Sequence, residues 1–135
     1  MKTISVKAGN VTIGGDSPIV VQTMCNTHTS DVKASVQQCV RLSKAGAQMI
    51  RLTVPSMAQV DSLKEIKAEL RAMGIDTPLV ADVHFSSEIA IAAAEIVEKV
   101  RINPGNFHKD HEKAKEQFAK LVEVCKEHGT AIRIG

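Results

Sequence analysis

Three triplets of one form, Ile50-Arg51-Leu52, Val100-Arg101-Ile102 and Ile132-Arg133-Ile134, constrain the fold of this chain more than any other feature. Each sets an arginine between branched apolar neighbours. The stretch Leu79-Val-Ala-Asp-Val-His-Phe85 repeats the device with an acid and a histidine, and Val100-Arg-Ile-Asn-Pro-Gly-Asn106 extends it with an asparagine. Successive side chains of an extended strand point to opposite faces. Asp82 and His84 therefore share one face, with Ala81 and Val83 on the other, and Arg101 and Asn103 likewise lie opposite Val100 and Ile102. Strands of an open, doubly wound parallel sheet meet helices on both faces and read as apolar throughout. These strands are apolar on one face only.

The segments between them read as helices. Strands begin near residues 19, 48, 78, 99 and 131, a period of about thirty residues, and each of the first four is followed by an amphipathic or Ala-rich run. Thr29 or Ser30 is placed to cap a helix starting near Asp31, with Val32, Val36, Cys39, Val40 and Leu42 as its buried stripe. Met57, Val60, Leu63, Ile66, Leu70 and Met73 stripe a second helix, and an exposed Arg71 is expected near its end. Ile89–Val97 forms a third, capped by Ser86 or Ser87, and a fourth spans about Asp110 to Glu127. Before them, residues 3–13 alternate about Gly9-Asn10, a hairpin signal. Alternating strands and helices imply a parallel sheet. The fold expected is α/β: the N-terminal part of a TIM (β/α)₈ barrel, about five parallel strands and four helices preceded by a β-hairpin, with the polar residues facing inward near the C-terminal mouth. A whole barrel takes about 250 residues, so residues 1–135 are expected to be a partial barrel whose later strands lie outside this chain.

Inward arginines are costly unless their charge is answered. Arg51, Arg101 and Arg133 face Asp82 alone, while the whole chain carries only +2. Two readings fit. Concentrated guanidinium suits a phosphate or diphosphate, gripped by paired hydrogen bonds, with Asp82 and His84 able to orient hydroxyls or move protons. Alternatively the arginines belong to an ion-pair lattice completed by acids from strands elsewhere. Composition narrows the partners: with a net charge of +2, no Trp or Tyr and three Phe, the chain offers no basic, aromatic surface for nucleic acid. No apolar run approaches about 18 residues, so no membrane segment is expected and the cytoplasm is the expected compartment. Cys25, Cys39 and Cys125 show neither a disulfide framework nor metal-ligand spacing. Cys39 and Cys125 read as small core residues, and Cys25, just after a strand, is the one thiol near the expected site. His28, His108, His111 and His128 read as solvated.

Together, Val20-Val-Gln-Thr-Met-Cys-Asn-Thr27, Ile50-Arg-Leu-Thr-Val-Pro55, Leu79–Phe85, Val100–Asn106 and Ile132-Arg-Ile-Gly135 resemble the bacterial and plastid 4-hydroxy-3-methylbut-2-enyl diphosphate synthases, in order and over essentially the whole chain. The resemblance implies a substrate-binding barrel for 2-C-methyl-D-erythritol 2,4-cyclodiphosphate, opened reductively in the non-mevalonate isoprenoid pathway. It also implies a C-terminal domain holding a [4Fe-4S] cluster through three cysteines and a glutamate, and flavodoxin or ferredoxin as electron donor. Carried over by motif, Arg51, Arg101 and Arg133 contact the diphosphate, and Asp82, His84, Asn103 and Asn26 line its pocket. None of the three cysteines matches a cluster ligand, so this piece alone is expected to be inactive. The rivals are another phosphate-ligand barrel enzyme, such as a dihydropteroate synthase-like transferase, and a non-catalytic half-barrel assembly module. Open strand edges suggest a homodimer.

Overall fold

The computed structural model describes residues 2–135. A hairpin of β1 (Val6–Ala8) and β2 (Val11–Ile13) precedes five parallel strands: β3 (Gln22–Met24), β4 (Met49–Thr53), β5 (Leu79–Asp82), β6 (Lys99–Ile102) and β7 (Ala131–Ile134). Between them run α1 (Val32–Lys44), α2 (Met57–Ala72), α3 (Ser87–Ala94) and α4 (His111–His128). The strands lie in the order β3-β4-β5-β6-β7. A doubly wound sheet reverses its strand order at a switch point, whereas a barrel adds each strand beside the last. This sheet has no reversal.

The helices cover only one face. Ile50 and Leu52 of β4 with Val54 just after it, Leu79 and Ala81 of β5 with Val83 just after it, and Val100 and Ile102 of β6 share one core with apolar residues of all four helices. Leu63, Ile66 and Leu70 of α2 have no exposed surface, and full burial of such a side chain stabilises by about 1.5–3 kcal/mol. The opposite face meets the hairpin instead: Ala8 joins Met49, Val80 and Ala131 in a second, smaller cluster, with Val11, Ile13 and Val20 packed against it. Close approach of the hairpin turn depends on Gly9, at φ 60°, where a Cβ would lie 2.8 Å from the Glu98 side chain. The barrel segment therefore has an apolar floor.

Several expected boundaries shift, each for a local reason. Ile19–Met24 was expected as a strand, but pairing begins only at Gln22; Ile19 and Val21 lie exposed on the open side of an edge strand. Asp31 itself caps α1, accepting from the Ala34 amide at 3.1 Å, in place of Thr29 or Ser30. Thr29 is occupied elsewhere, donating to the Thr53 carbonyl. Met57 and Met73 fall outside the buried stripe of α2, because one begins the helix and the other lies just past its end. Helix α3 stops at Ala94, and the buried Ile96 and Val97 belong to the turn into β6. Arg71 is not an exposed bystander: it donates to the Ile75 carbonyl and to Glu98 Oε1, at 2.8 and 2.7 Å. Glu98 also accepts from Lys67 and the Leu79 amide, clamping α2 to the N-terminal ends of the strands.

Candidate anion-binding site

Register places one inward residue of each of β4 to β7 in a row. Thr53 pairs with Asp82, Asp82 with Arg101, and Arg101 with Arg133. A row below, Met24, Arg51, Val80, Lys99 and Ala131 are neighbours in the same way. The first row sits at the C-terminal ends of the strands, where loops leave the sheet and barrel chemistry takes place.

Asp82 is the hub. It is almost fully buried, and its carboxylate accepts from Arg51 at 2.5 Å, from Arg101 at 3.2 Å and meets His84 Nε2 at 3.1 Å. Strand pairing stops at Asp82, short of the expected Phe85, yet His84 stays on the Asp82 side, as alternation predicts. For Nε2 to donate, the proton must sit there, which leaves Nδ1 of a neutral ring as an acceptor. Gly135 lies on the inward side beyond Arg133, and a Cβ there would come within 3.2 Å of Arg101 Nε. A larger residue at 135 would have to shift the Arg101 guanidinium by a few tenths of an ångström.

One carboxylate cannot answer the charge. Arg51 Nε is buried with no partner. Among the described residues, neither Arg133 nor Lys99 has an acidic partner within ion-pair distance. Lys99, outside the arginine triplets, is a fourth cation on this face. It stands two residues before Arg101 and so faces inward with it, while its neighbour Glu98 faces outward to Lys67 and Arg71. Burial, reinforced by the charges of Arg133 and Arg51, lowers the Lys99 pKa. The face thus holds four cations and one carboxylate, a surplus of three rather than the two expected. Lys99 and Arg133 border a cavity of about 380 Å³ with Gln22, Met49, Val20, Ile13 and Ile19, within the range of small-ligand sites.

The remaining candidates are less free. Asn103 caps a 3₁₀ turn, Pro104–Asn106, its Oδ1 accepting from the Gly105 amide at 3.1 Å; its amide nitrogen is uncommitted. Asn26 is exposed beyond β3 and tied to Gln38, accepting from Nε2 at 2.8 Å while its own backbone amide donates to Oε1 at 3.0 Å. No helix among the described residues is long and apolar enough to cross a membrane. Nor does any group of three or more His, Cys, Asp or Glu among them stand where it could hold a metal ion. Cys25 and Cys39 are paired in one core, and Cys125 is a buried residue of α4. These thiols do not fit a cluster ligand set.

The profile of the GcpE TIM-barrel domain matches residues 3–135. The chain belongs to this family. Relatives of the GcpE barrel include proteins named 4-hydroxy-3-methylbut-2-en-1-yl diphosphate synthase (flavodoxin) from Leptospira interrogans, 45% identical over 99% of this chain and 23% of the relative. The enzymes of that name from Chlorobaculum tepidum and Campylobacter jejuni are 44% and 46% identical, over 98% and 99% of this chain and 20% and 35% of theirs. The chain thus spans a fifth to about a third of the length of these relatives. Among solved structures, Burkholderia cenocepacia dihydropteroate synthase, complexed with 7,8-dihydropteroate, is similar with a TM-score of 0.57 over 96% of this chain and 62% of that one. At 13% identity it supports the barrel fold alone.

Proposed function

We propose that the inward face binds a diphosphate ester, and that this GcpE barrel segment serves a longer 4-hydroxy-3-methylbut-2-enyl diphosphate synthase. Its substrate is then 2-C-methyl-D-erythritol 2,4-cyclodiphosphate, its electron donor flavodoxin or ferredoxin, and its [4Fe-4S] cluster lies in a C-terminal domain beyond this chain. The observation that carries the reading is the surplus of three positive charges on one rigid, partly enclosed face. Guanidinium groups on neighbouring strands offer paired donors to phosphoryl oxygens, and Lys99 adds a point charge beneath them. Asp82 positions Arg51 and Arg101 rather than meeting the anion, because a carboxylate would repel it. His84 stands at the rim, able to orient a hydroxyl or carry a proton. Asn103 has an amide to offer, and Asn26 enters only if its link to Gln38 opens.

The rival ion-pair lattice has support in the three donors on Asp82. Titration calorimetry with inorganic diphosphate at low ionic strength separates the two. The anion site requires saturable binding that weakens steeply as salt is added. Absence of saturable heat through millimolar diphosphate would favour the lattice.

A further inference from the structure

We propose that Cys25 and Cys39 form a reversible dithiol–disulfide couple, an oxidation site at the start of the loop that borders the anion-binding face. Their sulfurs lie 3.6 Å apart, both side chains are buried in the helix-side core and both are free thiols. A disulfide holds its sulfurs at about 2.05 Å, so each must move by less than about 1 Å. Cys25 directly follows β3, and Cys39 sits mid-way along α1, so the bond would join the two elements covalently. That link would run beside an existing one: Asn26 and Thr27 backbone amides both donate to Oε1 of Gln38, the residue before Cys39. The Cys25 amide donates to the Arg51 carbonyl at 2.9 Å. Oxidation would therefore fasten the loop at a point one bond removed from the anion site.

The oxidant is a hydroperoxide, a small molecule able to enter at Cys25, a buried residue that keeps 7% of its surface where fully enclosed Cys39 keeps none. The Cys25 thiolate attacks the peroxide, the O–O bond breaks, and a sulfenic acid forms as water or alcohol leaves. Cys39 Sγ then attacks Cys25 Sγ, the S–O bond breaks, and the departing hydroxide takes the Cys39 proton as a second water. Two thiols lose two electrons and two protons, and the peroxide takes them up. The hydrogen bond from Cys39 lowers the Cys25 pKa, while that bond and burial raise Cys39, so Cys25 is the thiol that meets the peroxide first. An oxygenated sulfur in this apolar core lacks partners, which drives the second step.

The test is hydrogen peroxide treatment of the full chain, folded and in urea, followed by non-reducing peptide mapping. The expected product in folded wild type and in Cys125→Ala is an intrachain Cys25–Cys39 link, with Cys125 unoxidised in wild type. Closing a loop of this length should lower the unfolding equilibrium constant roughly 100-fold, and dithiothreitol should reverse the change. In Cys39→Ala, Cys25 should instead accumulate oxygen. The proposal is overturned if Cys125 oxidises as fast as Cys25, or if folded chains carry oxygen on both Cys25 and Cys39 without linking them. It also fails if the link forms as fast in urea as in the fold, a comparison that needs no variant to fold.

Discussion

Replacing Asp82 by Asn removes the one negative charge on the inward face at almost constant volume. In the structure that carboxylate, 1% exposed, accepts from two arginines and meets a histidine. Charge-assisted hydrogen bonds contribute about 1.5–3 kcal/mol each, and breaking a fully buried pair costs about 3–5 kcal/mol. Two features reduce this here. Arg51 and Arg101 keep 22% and 17% of their side-chain surface, so water screens the orphaned charges, and the variant no longer desolvates a carboxylate. The net loss should be about 2–3 kcal/mol, a large share of the roughly 5–15 kcal/mol that holds a domain folded. Urea unfolding should show it as a midpoint lowered by about 1–2 M. Adding inorganic diphosphate should restore more stability to the variant than it adds to the parent, because the face then carries four unopposed cations. A midpoint within error of the parent would refute the hub assignment. A smaller diphosphate increment in the variant would show that orientation of the arginines outweighs their charge.

Arg101→Ala should weaken diphosphate binding about 10- to 100-fold by calorimetry, while Lys64→Ala, exposed on α2 with no side-chain partner, should leave it unchanged; equal effects would count against an inward anion site. Lys99 has a depressed pKa in the fold, so the unfolded chain binds its proton more tightly, and stability should rise as pH climbs from the folded value toward the ordinary lysine range. Lys99→Met should stabilise the chain at neutral pH and flatten that rise in urea titrations; a parallel profile would place Lys99 in open water. Edge strands β3 and β7 leave backbone groups unpaired, and Ile19, Met24 and Ile134 are exposed beside them, so sedimentation velocity at high micromolar concentration should show dimers or larger species; a stable monomer would contradict this.

Much of the site was legible because a strand has the simplest periodicity a chain can have. Parity alone put Arg51, Asp82, Arg101 and Arg133 on one face, and kept His84 beside Asp82 after the pairing had ended. The same parity places Lys99, two residues from Arg101, on that face, where its lack of a branched-arginine-branched setting leaves it without the triplet's mark. Contacts across elements were not legible. Nothing in spacing says that Arg71 reaches Glu98, since that depends on how α2 crosses the strand ends. The meeting of Cys25 with Cys39 depends on how α1 folds back over β3. Asn26 looked available because its partner, Gln38, is supplied by that same return. Helix ends erred where a residue of the right type, Met57 or Met73, stood just beyond the packed turns.

The apolar floor under the inward face has a kinetic consequence. Ala8, Val11 and Ile13 of the hairpin, with Met49, Val80 and Ala131 of the sheet, form a low-dielectric plug on one side of the cations. Field lines from Arg51, Lys99, Arg101 and Arg133 spread poorly through such material and are crowded toward the open mouth. Charged clefts with low-dielectric walls raise local counter-ion concentration and association rates by about 10- to 1000-fold. If the inward face binds an anion as proposed, the hairpin, which carries none of these charges, would act on the capture rate by aiming the potential outward along the path of approach. On that reading, opening the plug with a neutral polar residue, for instance Ala8→Asn, would slow capture even where every cation remained in position.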